Sequence, residues 1–186
     1  MIINGVEMKG LAVEHAAGLA DVLTRNRAAM APYEPLRSEA FYTEAGQRAR
    51  IEGMLEERDG GRLVPYVFVE AGGGAGGGAV VGAMNLGSIA LGPLCSGGVG
   101  YWIDRDWHGK GLATAGLAEV LRAAREDFGL HRVEAQTLID NHASIRVLAK
   151  NGFTEIGLAP RYLHINGAWR DHRLFQRVLH DEAPSA

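Results

Sequence analysis

The chain has 186 residues, 47% of them hydrophobic and 22% charged, which suits one domain with a core that buries roughly 70% of the surface its unfolded form exposes. A formal net charge of −3 excludes a broad basic surface of the kind that binds nucleic acid. The single cysteine, Cys95, excludes an intramolecular disulfide and a cysteine metal site, and it implies a reducing compartment. The first ten residues show no basic region followed by a long apolar run, and no window approaches the roughly 18 apolar residues of a membrane span. A soluble cytoplasmic protein with no membrane partner is expected.

Ile2 to Val13 alternates loosely around Asn4-Gly5 and predicts an edge strand or a small hairpin. Glu14 to Met30 is rich in alanine and leucine; Leu19, Val22 and Leu23 recur at helical spacing. Pro32 and Pro35, around Tyr33 and Glu34, stop that helix in a fixed, non-helical loop. Thr43 to Arg58 predicts a second helix, capped by Thr43 and striped by Ile51, Met54 and Leu55. Leu63 to Ala71 and Ala79 to Leu86 read as strands joined by the glycine-rich segment Gly72 to Gly78, for which mobility is expected. Ile89 to Ser96 reads as a turn-rich link, in which Cys95 is an incidental thiol.

Gly98 to Gly116 then reads as strand, glycine turn and helix, the helix running on to Phe128. His131 to Ile139 is a strand with the near-continuous apolar content of one covered on both faces. Asn141 caps a further helix that Gly152 ends. Phe153 to Leu158 and Arg161 to Ile165 predict two short strands, and Asn166-Gly167 turns the chain into a last strand, Ala168 to Leu179. Arg170 and Asp171 are expected to be partly paired there. Residues 180–186 read as a frayed tail. With no internal repeat and no linker, the chain is one domain, 1–186, with a mixed α/β architecture.

The chemistry concentrates at His108-Gly109-Lys110-Gly111-Leu112-Ala113-Thr114. A glycine turn opening a helix aims unpaired N–H groups, at the positive end of the helix dipole, toward an anion. The segment lacks the third glycine of a dinucleotide fingerprint, and Lys110 between the glycines is not a P-loop. No spacing of His, Asp and Glu reads as a metal site.

Taken in order, Gly100-Tyr101-Trp102-Ile103, then His108 to Thr114, Asn141 with Ser144, Asn151-Gly152-Phe153, and Tyr162 through Asn166-Gly167 to Trp169-Arg170-Asp171-His172 resemble the GNAT acetyltransferases. Within that superfamily they resemble the ribosomal-protein-alanine N-acetyltransferase group, as do Asn26-Arg27 and Pro32-Tyr33-Glu34-Pro35 upstream. Gly111 and Ala113 match the family's phosphate motif, while His108 replaces its usual Gln or Arg. The resemblance implies a central mixed, mostly antiparallel twisted sheet of about seven strands, flanked by helices on both faces. It implies acetyl-CoA as cofactor, CoA as product, no metal, and a monomer or homodimer.

The resemblance further implies cofactor contacts from Trp102 and Ile103, from His108, Gly109, Lys110, Gly111, Leu112, Ala113 and Thr114, and from Asn141 and Ser144. The strand before the turn would splay from its neighbour, which Gly98, Val99 and Gly100 suit. A backbone N–H at Tyr101 to Ile103 would polarise the thioester carbonyl. Many family members carry a tyrosine as acid where this chain has Leu148; Ser144 is the substitute, against a hydroxyl bonded back to its own helix. Asn141 is a cap, a cofactor ligand or both. Glu34 is a candidate to bind or deprotonate the acceptor amine, with His164 and His172 as alternatives. The implied reaction is direct attack of an amine on the thioester, with a protein N-terminal α-amine as acceptor. A small-molecule amine acceptor, or an idle acyl-CoA-binding protein, stay open as alternatives.

Overall fold

The computed structural model describes residues 2–72 and 78–183; residues 73–77 of the glycine-rich segment and 184–186 of the tail lie outside the described residues. Strands β1 (Ile2–Ile3) and β2 (Val6–Gly10) form a hairpin, and Asn4 and Gly5 between them both take positive φ, as a tight two-residue turn requires. A short 3₁₀ turn, Val13–His15, leads into α1 (Ala16–Met30). The proline loop opens with another 3₁₀ turn, Ala31–Tyr33, and only from Glu34 is it extended, so its first half is more helical than the prolines imply. Thr43 Oγ1 accepts from Gly46 N at 3.1 Å and caps α2 (Glu44–Asp59).

Then follow β3 (Val64–Glu70), β4 (Val80–Ala90), β5 (Ser96–Ile103), α3 (Leu112–Glu126), β6 (Arg132–Leu138), α4 (His142–Lys150), β7 (Thr154–Ile165) and β8 (Ala168–Val178). β4 runs four residues past its predicted end, because Gly87 and Ala90 still pair with β5. β7 is one bulged strand, not two. Its register against β8 shifts between Ala159 and Leu163, where Arg161 takes a φ of +52° and its N–H donates to Asp171 Oδ1 at 2.8 Å. That bond occupies Asp171, and no ion pair to Arg170 forms among the described residues. The predicted frayed tail begins docked, with His131 Nδ1 donating to His180 O at 2.5 Å.

The strands make one eight-stranded sheet in the order β1-β2-β3-β4-β5-β6-β8-β7. Every neighbouring pair is antiparallel except β5 and β6. Strand alternation separates two cores. Phe68 of β3 packs with Leu112, Leu117 and Val120 of α3 and Leu148 of α4, while its neighbours Val67 and Val69 pack with Leu19, Val22 and Leu23 of α1 and Ile51 of α2. The helices therefore cover both faces, α1 and α2 on one and α3 and α4 on the other. Each fully buried leucine or valine of α3 contributes about 1.5–3 kcal/mol. A Cβ at Gly116 would come within 2.5 Å of the Phe68 ring, so glycine lets α3 lie close on the sheet and fixes where its N-terminus points.

Candidate active site

The parallel pair β5 and β6 is joined only from Ser96 to Gly98, opposite Arg132 to Glu134, and then the strands part. The remainder of β5 keeps its bonds to β4 on the other side. Asp104 N donates to Val81 O at 2.8 Å, so alternation turns the backbone groups of Trp102 and Gly100 toward β4 and those of Tyr101 and Val99 toward the gap. A cleft of about 810 Å³ opens there, bounded by the start of α3, by α4, and by the loop after α1.

The turn before α3 lines the cleft. Gly109 and Gly111 have φ of +75° and +81°, backbone that L side chains rarely adopt. No side chain caps α3, and the N–H groups from Gly109 to Thr114 donate to no acceptor among the described residues. The His108 ring donates from Nε2 to Ile103 O at 2.9 Å and ties the turn to the end of β5. Leu112 is buried in the core, so only its backbone faces outward. The Lys110 ammonium sits over the ring of Trp107, a cleft-lining residue, at 4.2 Å, while the Lys110 carbonyl accepts from Asn4 Nδ2.

On α4, Asn141 Oδ1 accepts from Ser144 N at 3.1 Å and caps the helix. That spends its carbonyl oxygen and leaves its NH₂ for other partners. Ser144 Oγ does not turn back onto its helix; it lies 3.0 Å from the Tyr101 hydroxyl. Burial pushes the Tyr101 phenol up to about 12, against the opposing pull of the Ser144 hydrogen bond. The buried Leu148 fills core space below.

Glu34 lines the same cleft, with Tyr33, Arg37 and Arg50. Its carbonyl accepts from Asn166 N at 2.9 Å, which pins the proline loop to the β7–β8 turn. Burial raises the Glu34 carboxyl above the usual carboxylate range, although Arg37 and Arg50 pull it down. His172 is buried at the cleft wall, and its Nδ1 donates to Arg170 O at 3.0 Å. His164 packs against Trp169 instead.

Residues 6–154 match the acetyltransferase (GNAT) domain family. The chain belongs to the GNAT acetyltransferases. It is 32% identical over 168 residues to the [ribosomal protein uS5]-alanine N-acetyltransferase of Escherichia coli, spanning 89% of this chain and 84% of that protein. It is 30% identical over 159 residues to the probable N-acetyltransferase YjcK of Bacillus subtilis, spanning 86% of each. Among solved structures, ribosomal-protein-S5-alanine acetyltransferase from Vibrio fischeri superposes with a TM-score of 0.90 at 30% identity, over 97% of each chain. Mycobacterium smegmatis RimJ in complex with CoA-disulfide gives 0.86 at 31% identity, over 93% of this chain and 81% of that one.

This GNAT protein is an acetyl-CoA-dependent N-acetyltransferase. Its own geometry fits that cofactor. The unpaired N–H groups of the turn suit a diphosphate, and the parted strands suit an extended, hydrogen-bonding arm. In the GNAT fold this cleft is also braced by residues that sequence reasoning missed. Asp104, 1% exposed, follows β5, and its Oδ2 accepts from Arg25 Nε and Nη2 of α1 at 2.9 and 2.5 Å. Its Oδ1 accepts from Asn26 Nδ2 at 3.1 Å and Asp106 N at 3.2 Å. Burial pushes the Asp104 carboxyl up, but the bonds from Arg25, Asn26 and Asp106 N–H outweigh it and hold the group below the usual range. This cluster fixes α1 to the strand end that faces the gap. Its members lie far apart in sequence, so no local pattern announces it.

Proposed function

We propose that the chain acetylates the N-terminal α-amine of a protein, entering the cleft from the Glu34 side. The observation that carries this reading is the likeness, over most of both chains, to the uS5-alanine N-acetyltransferases, which coincides with a cleft that Glu34 lines. Acetyl-CoA, when bound, supplies an acetyl group activated as a thioester.

The chain's own residues divide the remaining work. The N–H groups from Gly109 to Thr114 hold the diphosphate, with His108 keeping the turn against β5. Trp102 and Ile103 border the acyl arm, and Asn141 offers its NH₂ to it. The Tyr101 N–H, turned into the gap, would serve the acyl oxygen as a preorganised donor. Ser144 Oγ, backed by a Tyr101 hydroxyl that stays protonated at neutral pH, holds a proton for the sulfur. Glu34, a stronger base than a solvated glutamate, receives the acceptor ammonium and draws off its proton. A free α-amine has a pKa near 8, so a modest base suffices.

The test mixes the protein with acetyl-CoA and peptides that begin with Ala, Ser and other residues, and follows thiol release with mass analysis of the peptide. Acetylation confined to the α-amine of a subset of peptides is the expected result. Turnover of small amines with none of any peptide would overturn the reading.

A further inference from the structure

The acceptor end of the cleft carries more positive charge than its own acid balances. Glu34 is the only carboxylate among the described residues that line it, and two guanidinium groups stand beside it. Arg37 lies 4.6 Å from the Phe41 ring centre and meets Glu34 loosely, Nε to Oε2 at 3.8 Å. Arg50 lies 5.8 Å from the same ring, and its hydrogen bond goes to Gln47 Oε1 at 3.4 Å. It makes no ion pair among the described residues. Gln47 is fully buried and donates to Phe41 O at 2.5 Å, so the platform under both arginines is fixed.

A half-buried guanidinium beside a second cation, hydrogen-bonded only to an amide oxygen and drawn by the single carboxylate of Glu34 that it shares with Arg37, sits at a cost. Burial first, and Arg37 second, disfavour the charged form of Arg50. A planar carboxylate relieves both effects, because it meets the guanidinium fork with two parallel hydrogen bonds.

We infer that Arg50 and Arg37 form a carboxylate subsite, and that the acceptor carries a carboxylate close to the amine that Glu34 receives. This rests on the reading of the Glu34 end as the acceptor side. When the acceptor ammonium takes Glu34, Arg37 is released from its loose contact, and the acceptor carboxylate takes its place against both guanidinium groups. The carboxylate has two chemical sources. One is an Asp or Glu side chain within the first residues of a peptide; the other is the α-carboxylate of a free amino acid.

The experiment measures kcat/KM with acetyl-CoA and matched acceptors. Ala-initiated peptides carry Glu or Gln at the second, third or fourth position, and free amino acids are paired with their amides. The wild-type protein prefers the acid member of at least one pair by about tenfold or more, as a charge-assisted hydrogen bond provides. In Arg50→Gln and Arg37→Gln that ratio falls toward one, while Arg50→Lys keeps part of it. The pair that shows the preference names the source. Circular dichroism checks each fold, and if Arg50→Gln unfolds, Arg37→Gln on the loop decides. Equal turnover of acid and amide in every pair refutes the subsite while leaving the α-amine reading intact. Acid preference confined to free amino acids upholds the subsite and removes the protein acceptor. Acceptors that are not turned over are titrated by calorimetry against CoA-saturated protein, and equal affinity for acid and amide likewise refutes the subsite.

Discussion

The Tyr101 hydroxyl lies 3.0 Å from Ser144 Oγ, joining the free edge of β5 to the first turn of α4 across the cleft. The two hydroxyls form one hydrogen-bonded unit, so their loss should not add. Ser144→Ala and Tyr101→Phe should each lower kcat, Ser144→Ala by at least about 100-fold, as loss of a positioned proton donor does. The double variant should be little worse than Ser144→Ala alone. With the phenol held near 12, kcat should show no falling limb from Tyr101 below about pH 10. Steady-state kinetics over pH checks both statements, and additive losses would separate the pair.

Ala113 sits in the first turn of α3, directly behind the unpaired N–H groups. An acidic residue there complements the helix dipole by about 0.3–1 kcal/mol and repels a diphosphate. Ala113→Glu should therefore keep or raise Tm while weakening CoA binding at least about tenfold by calorimetry. Unchanged CoA affinity would move the diphosphate elsewhere. Gly111→Glu is a poorer probe, because Gly111 at φ +81° also demands glycine for its backbone.

Glu34 makes opposite predictions for activity and stability. Burial raises its carboxyl in the folded state, so its contribution to stability is complete at low pH, where the group is neutral in both states. That contribution is lost as pH rises through the raised value. Glu34→Gln should therefore melt higher than wild type near pH 7, with the gain vanishing in acid. The same substitution should lower kcat/KM for the acceptor and remove the acidic limb of its pH profile. Thermal melts and kinetics on one preparation measure both.

Asp104 behaves in the reverse sense. Its carboxyl is held below the usual range, so its stabilisation is present above the unfolded value and fades as pH falls toward the lower folded one. Asp104→Asn should cost about 1–3 kcal/mol at neutral pH, because buried donors lose an anionic acceptor. It should raise KM for the acceptor more than for acetyl-CoA, since Arg25 and Asn26 belong to α1, which leads into the Glu34 loop of the proposed acceptor side. Denaturant melts and paired KM values read the two effects. Equal changes in both KM values would leave Asp104 a purely structural residue.

What was legible in the sequence was local. The glycine turn, the caps at Thr43 and Asn141, and the hairpin at Asn166-Gly167 are short-range chemistry, and each lies where its residues place it. The parting of β5 from β6 was readable in part, from glycines that pair weakly. Contacts across the sheet were not. Strand alternation tells that Tyr101 and Trp102 face opposite ways, but only tertiary packing brings Tyr101 to Ser144. Arg25 of α1 serves the carboxylate of Asp104, a partner 79 residues on that no local pattern announces. Phe153 to Leu158 and Arg161 to Ile165 read as two strands, and the bulge held by Asp171 joins them into one.

The central claim is that this cleft transfers acetyl to a protein α-amine, with diphosphate recognition at the α3 turn. The most direct measurement follows thiol release and peptide mass together for an Ala-initiated peptide with wild-type protein and Ala113→Glu. The account predicts one acetyl group on the α-amine per thiol released, and at non-saturating acetyl-CoA a rate that collapses in the variant. Wild-type protein that binds CoA but releases no thiol with any amine, or a variant as active as wild type at limiting acetyl-CoA, would contradict it.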